Sequence, residues 1–587
     1  MKILLVHPDD SVEGEPCVIQ TSGPAPWDWI VDLGWSGRAA YSRYAEHLGV
    51  RILSIYDLLD HEQHRRRMRD LLAVGLDHLL DSDSVDWWEV FSVYPYQQLE
   101  QLFLLSVLAG QIPENAEIFA TRTHVSLDAL SSLLSRDGKN SRIAILSDAN
   151  PRGLRTRSSR YWRAVRTLLP SQLAEIAFDK WDTGYRLRRH FSRRPRGSSS
   201  PLILLPSAYA NVTRAQVAYA RMLPHRRFLL VLTRRNGQIP NLPENVEVRS
   251  LASYAVRSSP ATGKERARLL AAWQGLQNIS FESNPVLALA TKMGAFGAFA
   301  DLLNSGLRVR DAWREVLTRN PISSLLSADE YNPYTRLPIL LANSRNVRTV
   351  FCDHGALNMS FGIRRPASDT YLVKGNMARD YSVNWCGLPA EKVVVGAPSP
   401  GQPSPSSSPR NGATRDWIVY YSEAYELSAG RTRTLYAELL PELCQLAACT
   451  NRKVVVKLHP FESLRMRKAV IDDVLTPEQR SLVEIREGAM TPDLLARAWC
   501  SLTLESSVAV ESTLHRVPCF LCSWFDASWY DYGKQFAKYS AGYPLDSPQR
   551  IRDIPRLLGE FHITESTRRG LLTPITPERL DSVLAGK

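Results

Sequence analysis

An α/β fold built on parallel sheets is predicted by three features of this sequence. Short, almost uniformly apolar runs recur, each ending at a polar residue, glycine or proline. Helix-length amphipathic stretches separate them. The composition is that of an ordinary globular protein, with 587 residues of which 44% are hydrophobic, 22% charged and 9% aromatic. Parallel strands are covered by helices on both faces, so they read as continuous apolar runs rather than alternating ones. At about 150 residues per domain the length allows two to four domains. Collagen-like, low-complexity and wholly disordered classes are excluded.

In the first half the strand candidates are KILLVH (2–7), RILSIY (51–56), EIFAT (117–121), RIAILS (142–147), LILLP (202–206) and FLLVLT (228–233). Helix-length segments lie between them at 61–80, 95–109, 126–136 and 155–169. These strands exceed what one ordinary sheet needs, so an insertion or a small extra domain is expected. Residues 263–318 read as mostly helical, without an assigned place. SLLSADE (324–330), TVFCDHG (349–355), TYLVKG (370–375) and KVVVGAP (392–398) continue the strand pattern. PSPGQPSPSSSPRNGATR (398–415) has almost no apolar surface to bury and reads as an exposed linker, the main boundary. After it, DWIVYYSE, KVVVKLHP, SLVEIREG, CSLTLESS and VPCFLCSW alternate with helices near 431–448, 463–475, 491–498 and 507–514, giving one parallel sheet. Further helices are predicted near 547–558 and 576–585. The expected division is 1–397, a Rossmann-like domain with helical insertions; 398–414, the linker; 415–560, a second Rossmann-like domain; and 561–587, a helical tail.

The formal charge is +12, which speaks to partners rather than fold. Arginines cluster in PRGLRTRSSRYWRAVR (151–166) and YRLRRHFSRRPRG (185–197). Such surfaces are solvated helix faces, or they meet anionic lipid head groups, polyanionic glycans or nucleic acid. No zinc-finger spacing or aromatic RNA-binding motif accompanies them, so nucleic acid is not expected and lipid or glycan is preferred. No apolar stretch approaches the roughly 18–20 residues of a membrane helix, and MKILLVHPDD lacks the form of a secretory signal. A cytoplasmic protein, at most peripheral to an inner membrane, is expected. Eight scattered cysteines make no disulfide framework, and the Cys519–Cys522 pair sits in a strand-like run that reads as two buried thiols.

Ligands of open parallel sheets bind beyond the carboxyl ends of the strands. On that rim of the last domain stand Ser422 and Glu423, His459 and Pro460 after Lys457, Arg486 and Glu487, Ser506 and Ser507 after Glu505, and Ser523 with Trp524. Hydroxyls, an imidazole and carboxylates suit a ribose and a phosphate. Ser506 and Ser507 open a helix, where they either cradle a phosphate or act as ordinary N-caps. Glu511 lies one turn beyond Ser507, in reach of a ribose hydroxyl or of solvent.

VVVKLHPFES (454–463), followed by LTLESSVAVESTLHRVP (502–518), resembles the HP and serine motifs of GT-B glycosyltransferases. Bacterial sialyltransferases, capsule Kdo transferases and CDP-glycerol polyol-phosphate transferases share that pairing. The resemblance covers roughly 320–525 and implies a GT-B-like fold, two Rossmann-type domains facing a cleft, here with an enlarged N-terminal, acceptor-side domain. It implies that His459, Ser506 and Ser507 contact the phosphate of a cytidine nucleotide donor and that Glu511 holds the ribose. TVFCDHGAL (349–357) is similar to the HG segment of surface-polysaccharide enzymes, which implies a catalytic role for His354; Asp353 stands where the polyol-phosphate enzymes place tryptophan or glutamine.

A sugar transferase needs a base near the acceptor hydroxyl and stabilisation of the departing phosphate. Asp32, in WIVDLGWSG, is the leading carboxylate, with Asp148 and Glu330 as rivals; Asp32 could equally cap a turn, and in a retaining reaction one of them would be a nucleophile. Trp27, Trp29 and Trp35 either stack on sugar rings or belong to the core. Asp81 and Asp83 form a DxD pair but read as a solvated helix end, so neither metal nor cofactor is expected. The function expected is transfer of an acidic sugar, Kdo or a sialic-type nonulosonate, from a CMP-sugar to a bacterial surface polysaccharide or lipid-linked glycan. The alternatives are a CDP-polyol phosphotransferase, a UDP- or GDP-sugar transferase, and a non-catalytic nucleotide-sugar or nucleic-acid binding protein.

Overall fold

The computed structural model describes residues 1–6, 27–33, 48–121, 125–139, 142–146, 200–234, 237–255, 260–358, 360–399, 415–423, 431–459, 462–488, 490–525 and 530–587, with Ser11, Val12, Glu15, Pro16 and Ala45. Trp35, Asp148, Pro460, both arginine-rich stretches, the helix expected over 155–169 and residues 400–414 of the linker lie outside the described residues.

The surplus of strand segments before the linker resolves into two sheets rather than one. The first contains β1 (Lys2–Val6), β2 (Trp29–Asp32), β3 (Ile52–Ser54), β4 (Glu117–Ala120) and β5 (Ile143–Ile145), in the order β3-β2-β1-β4-β5. The second contains β6 (Leu202–Ser207), β7 (Arg227–Leu232), β8 (Val246–Ser250), β9 (Ile322–Ser327), β10 (Arg348–Cys352), β11 (Thr370–Val373) and β12 (Val393–Val395), in the order β8-β7-β6-β9-β10-β11-β12. The third contains β13 (Trp417–Tyr421), β14 (Lys453–Lys457), β15 (Val483–Arg486), β16 (Ala498–Thr503), β17 (Cys519–Cys522) and β18 (Tyr543–Leu545), in the order β15-β14-β13-β16-β17-β18. Neighbouring strands pair in parallel in all three. Each sheet winds outward from its first strand and then crosses to the other side. The crevice where ligands settle in such a sheet therefore opens between its first and fourth strands.

The first and second sheets are joined by helices: α1 (His61–Ala73), α2 (Trp87–Phe91), α3 (Tyr96–Gln111), α4 (Pro260–Leu276), α5 (Pro285–Lys292) and α6 (Phe299–Arg319). The last three account for the helical segment that had no assigned place. Side chains alternate across a strand, so Leu202 and Leu204 of β6 face this shared helical core, whereas Ile203 and Leu205 face the opposite layer. Trp273 stacks on Phe299 at 3.9 Å between ring centroids. Trp27 and Trp29, considered as sugar platforms, pack into the core, Trp27 edge-on to Phe119.

Where α2 crosses α6 the helices touch at Gly306. A Cβ there would overlap the Trp87 ring and stand 2.7 Å from Phe91 Cζ. Gly306→Ala is expected to destabilise the protein by about 1–3 kcal/mol, the usual cost of overpacking a filled core, and urea unfolding monitored by tryptophan fluorescence measures it. An unchanged midpoint would mean that the two helices separate freely.

The Asp81–Asp83 turn corrects the reading of a solvated helix end. Asp81 is buried and binds Arg310 at 2.8 Å, Trp87 Nε1 at 3.1 Å and the Val85 amide at 3.0 Å, while Asp83 pairs with Arg314. Their oxygens are committed to these donors.

In the third sheet, β16 leads into α7 (Val508–Leu514), and the chain ends in α8 (Pro577–Ala585), capped by Thr576. Leu580, Val583 and Leu584 of α8 pack with Val350, Cys352 and Leu372 of the second sheet, and Asp581 binds Arg226 at 2.7 Å. The segment expected as a tail thus returns to cover the second sheet. Cys519 and Cys522 are free and buried, with burial pushing Cys519 up to about 12. The fold is α/β, a GT-B-like pair of Rossmann-type units preceded by a further parallel-sheet unit. Among the described residues no helix is long and apolar enough to cross a membrane.

Candidate functional site

The crevice of the third sheet lies between the exits of β13 and β16, at Ser422–Glu423 and Leu504–Ser507. Its floor is built from side chains bonded to the loops around them. The Glu423 carboxylate accepts from the Glu505 amide at 2.7 Å and from Thr503 Oγ1 at 3.3 Å. Burial raises its pKa, and those donors with the Ser506 amide oppose the rise. Ser422 Oγ donates to Glu462 Oε1 at 2.8 Å and accepts from Tyr436 at 2.8 Å. Glu462 also accepts the His459 amide at 2.6 Å and Arg467 Nε at 2.5 Å. Lys457 is buried, and its Nζ donates to the carbonyls of Leu458, at 2.6 Å, and Gly488, at 2.8 Å. Burial lowers the Lys457 pKa.

Ser422, Glu423 and Lys457 therefore hold the strand exits in place rather than present free polar atoms to a ligand. The rim itself consists of His459, Ser506 and Ser507, each half-buried. Ser507 occupies the N-cap position of α7 but makes no side-chain cap bond, whereas Ser506 Oγ receives the Val508 amide at 3.4 Å and keeps its own proton to donate. Glu462 was missed by sequence reasoning. Its signal was present in HPFES, three residues after His459, at the spacing with which a carboxylate returns to an amide in a tight turn.

Facing this rim is the exit of β10. His354 is exposed, and its Nδ1 lies 2.6 Å from the Ala328 carbonyl. A carbonyl only accepts, so Nδ1 carries the proton and Nε2 of the neutral ring is left as the basic nitrogen. Asp353 beside it is buried and pushed up to about 7 by that burial, with Lys374 opposing and Glu330 reinforcing. Glu330 is buried, bonding Ser368 Oγ, Tyr371 OH at 3.3 Å and the Ala367 amide at 3.4 Å, with Arg336 at 3.9 Å. Its carboxylate anchors the loop before β11. Burial raises its pKa, against Arg336 and these donors.

The two rims meet. Ala356 and Met377, just past β10 and β11, share one apolar cluster with Ala509 and Val510 of α7. The carboxyl ends of the second and third sheets thus face each other, with the His354 loop packed beside the serine-bearing helix. Glu511 is exposed at one edge of α7, yet the protein crowded around its carboxyl raises its pKa, and the Lys374 charge from the opposite sheet lowers it. Lys374 was also missed, although it stands at the end of an apolar run, where the strand-exit rule finds such residues. Asp32 is placed elsewhere: it ends β2 of the first sheet, fully buried, in register with Val6 and Ser54. The described structure thus sets the His354 loop beside the helix that follows Ser506 and Ser507 and carries Glu511, with His459 at the exit of the neighbouring β14 and Asp32 on a different sheet.

No family model matches the chain, and no curated protein matches it. Among solved structures it is similar to the UDP-GlcNAc 2-epimerase of Methanocaldococcus jannaschii, with 12% identity, a TM-score of 0.42, and coverage of 66% of this chain and 100% of that one. It is similar to the UDP-GlcNAc 2-epimerase of Neisseria meningitidis bound to UDP-GlcNAc, with 11% identity, a TM-score of 0.43 and the same coverage. MurG of Acinetobacter baumannii gives 12% identity and a TM-score of 0.36, again over 66% and 100%.

Proposed function

We propose that the chain is a glycosyltransferase that takes a nucleotide-activated sugar at the third sheet and an acceptor hydroxyl at the second. The observation that carries this reading is the packing of the His354 loop against the helix that follows Ser506 and Ser507, with the basic nitrogen of His354 exposed. His459 and the two serine hydroxyls donate to the phosphate of the nucleotide, and Glu511 takes its ribose. The acceptor oxygen attacks the anomeric carbon as the bond from that carbon to the phosphate oxygen breaks. Nε2 of His354 receives the acceptor proton, and the nucleotide leaves with the bonding pair, its charge stabilised by the rim donors.

The donor assigned is a CMP-activated acidic sugar, Kdo or a sialic-type nonulosonate, on the order and spacing of the HP and serine motifs. The acceptor is a bacterial surface polysaccharide or lipid-linked glycan, reached at the face of an anionic membrane. Calorimetric titration with CMP, CDP, UDP and GDP tests the donor class: preference for UDP or GDP overturns the cytidine assignment, and binding of none overturns the transferase reading. Ser506→Ala combined with Ser507→Ala is expected to weaken binding of the preferred nucleotide by about 1.5–3 kcal/mol, roughly ten- to a hundredfold in Kd, the range for hydrogen bonds to a charged group. Wild-type affinity in that variant would remove both serines from the site.

A further inference from the structure

A second cavity, of about 300 Å³, opens at the seam between the first and second units, between α1 and the segments 361–366 and 386–387. It shares no residue with the cleft described above. Its lining combines the apolar Leu72, Phe361 and Ile363 with three arginines, Arg69, Arg364 and Arg365.

The arginines around this cavity are unevenly paired. Arg365 pairs with Asp77 at 3.0 Å, and the carboxylate of Glu89, which also lines the cavity, is taken by Arg336. Arg364 and Arg69 make no ion pair among the described residues. Arg364 is 7% exposed, and its Nη atoms reach only the carbonyls of Tyr331, at 2.9 Å, Glu330, at 3.4 Å, and Glu89, while its buried Nε has no partner. Arg69 likewise spends its guanidinium on carbonyls, Gly362 at 2.7 Å and Cys386 at 3.0 Å. Just behind it, Arg65 has a second buried Nε without a partner. A buried cation with only neutral acceptors costs several kcal/mol unless an anion joins it. Burial and the neighbouring Arg336 push Arg364 down to about 9, against the charges of Glu89 and Glu330 nearby.

We infer that this seam cavity binds a small organic anion, a phosphate or carboxylate carried on a sugar-sized body whose apolar face rests on Leu72, Phe361 and Ile363. The guanidiniums supply charge-assisted hydrogen bonds, and the volume suits a monosaccharide-sized ligand rather than a bare ion alone. The site stands on its own residues and does not depend on the transferase reading.

Thermal shift of the full chain in phosphate-free buffer, with millimolar inorganic phosphate, glucose 6-phosphate or glucuronate, tests it. At least one of these probes is expected to raise the melting temperature, and the choice among them separates phosphate from carboxylate. Arg69→Gln is expected to weaken that binding roughly tenfold or more. Ala73→Trp fills the exposed mouth of the cavity without touching a charge and is expected to abolish binding, while His459→Ala, in the other cleft, leaves it intact. Stabilisation by none of the probes, undiminished binding in either seam variant, or loss of binding in His459→Ala overturns the proposal.

Discussion

His354→Ala is expected to lower the turnover of sugar transfer by roughly 10²–10⁴-fold, the usual contribution of a positioned general base, while leaving the affinity for the nucleotide close to wild type. The separation follows from position. His354 leaves the second sheet, and its Nδ1 is held by the Ala328 carbonyl, whereas the phosphate contacts assigned to the nucleotide come from the third. Single-turnover kinetics beside calorimetry on the same variant measure both quantities. A turnover within a factor of a few of wild type would remove His354 as the base. Equal losses in turnover and nucleotide affinity would move it to donor binding.

The second large effect concerns the joint between the first two units. Arg310 is almost wholly buried and bonds Asp81 at 2.8 Å, Glu265 at 2.7 Å and Asp311 at 2.8 Å, with Asp83 at 3.7 Å. Hydrogen bonds to these carboxylates raise its pKa although burial lowers it. Replacing Arg310 with Met removes the cation and leaves buried carboxylates facing one another across the turn before α2, α4 and α6. A loss of about 3–5 kcal/mol is expected, the cost of breaking a buried ion pair on one side. Arg310→Lys, which keeps the charge but cannot fork to three carboxylates, should fall between. Chemical denaturation of the two variants provides the check, and a change below about 1 kcal/mol in Arg310→Met would place this network among ion pairs that contribute little.

Much of the candidate site was legible in advance because strand exits are legible. A run such as KVVVK buries four of its five side chains, so the polar residues that follow it stand at the sheet edge; His459 and Ser506 were found that way, and His354 by the resemblance of its HG segment. What a polar side chain does at that edge is another matter. Lys457 sits two residues before the rim residue His459, yet it turns back onto two carbonyls. Ser422 and Glu423 support loops rather than offer free atoms. These outcomes depend on neighbours brought by other strands: Glu423 meets the Glu505 amide across 82 residues of sequence.

The same division holds for the fold. Apolar runs separated by amphipathic helices were enough to establish an α/β chain with parallel sheets, because burial on both faces leaves its mark in every strand. Three strands of the parallel sheets were missed: Val246–Ser250 and Tyr543–Leu545 are sheet-edge strands with polar or half-buried positions, where that mark fades, and Trp29–Asp32, although buried inside the first sheet, is only four residues long. The runs after the linker were rightly placed in one sheet, but which of the earlier runs share a sheet was invisible, since KILLV and LILLPS are chemically alike and neither names its partner. The partition into three sheets, the joint core of the first two, and the burial of Asp81 beside an arginine 229 residues away arise from long-range packing. A local pattern records whether a residue is covered, and only the assembled chain supplies what covers it.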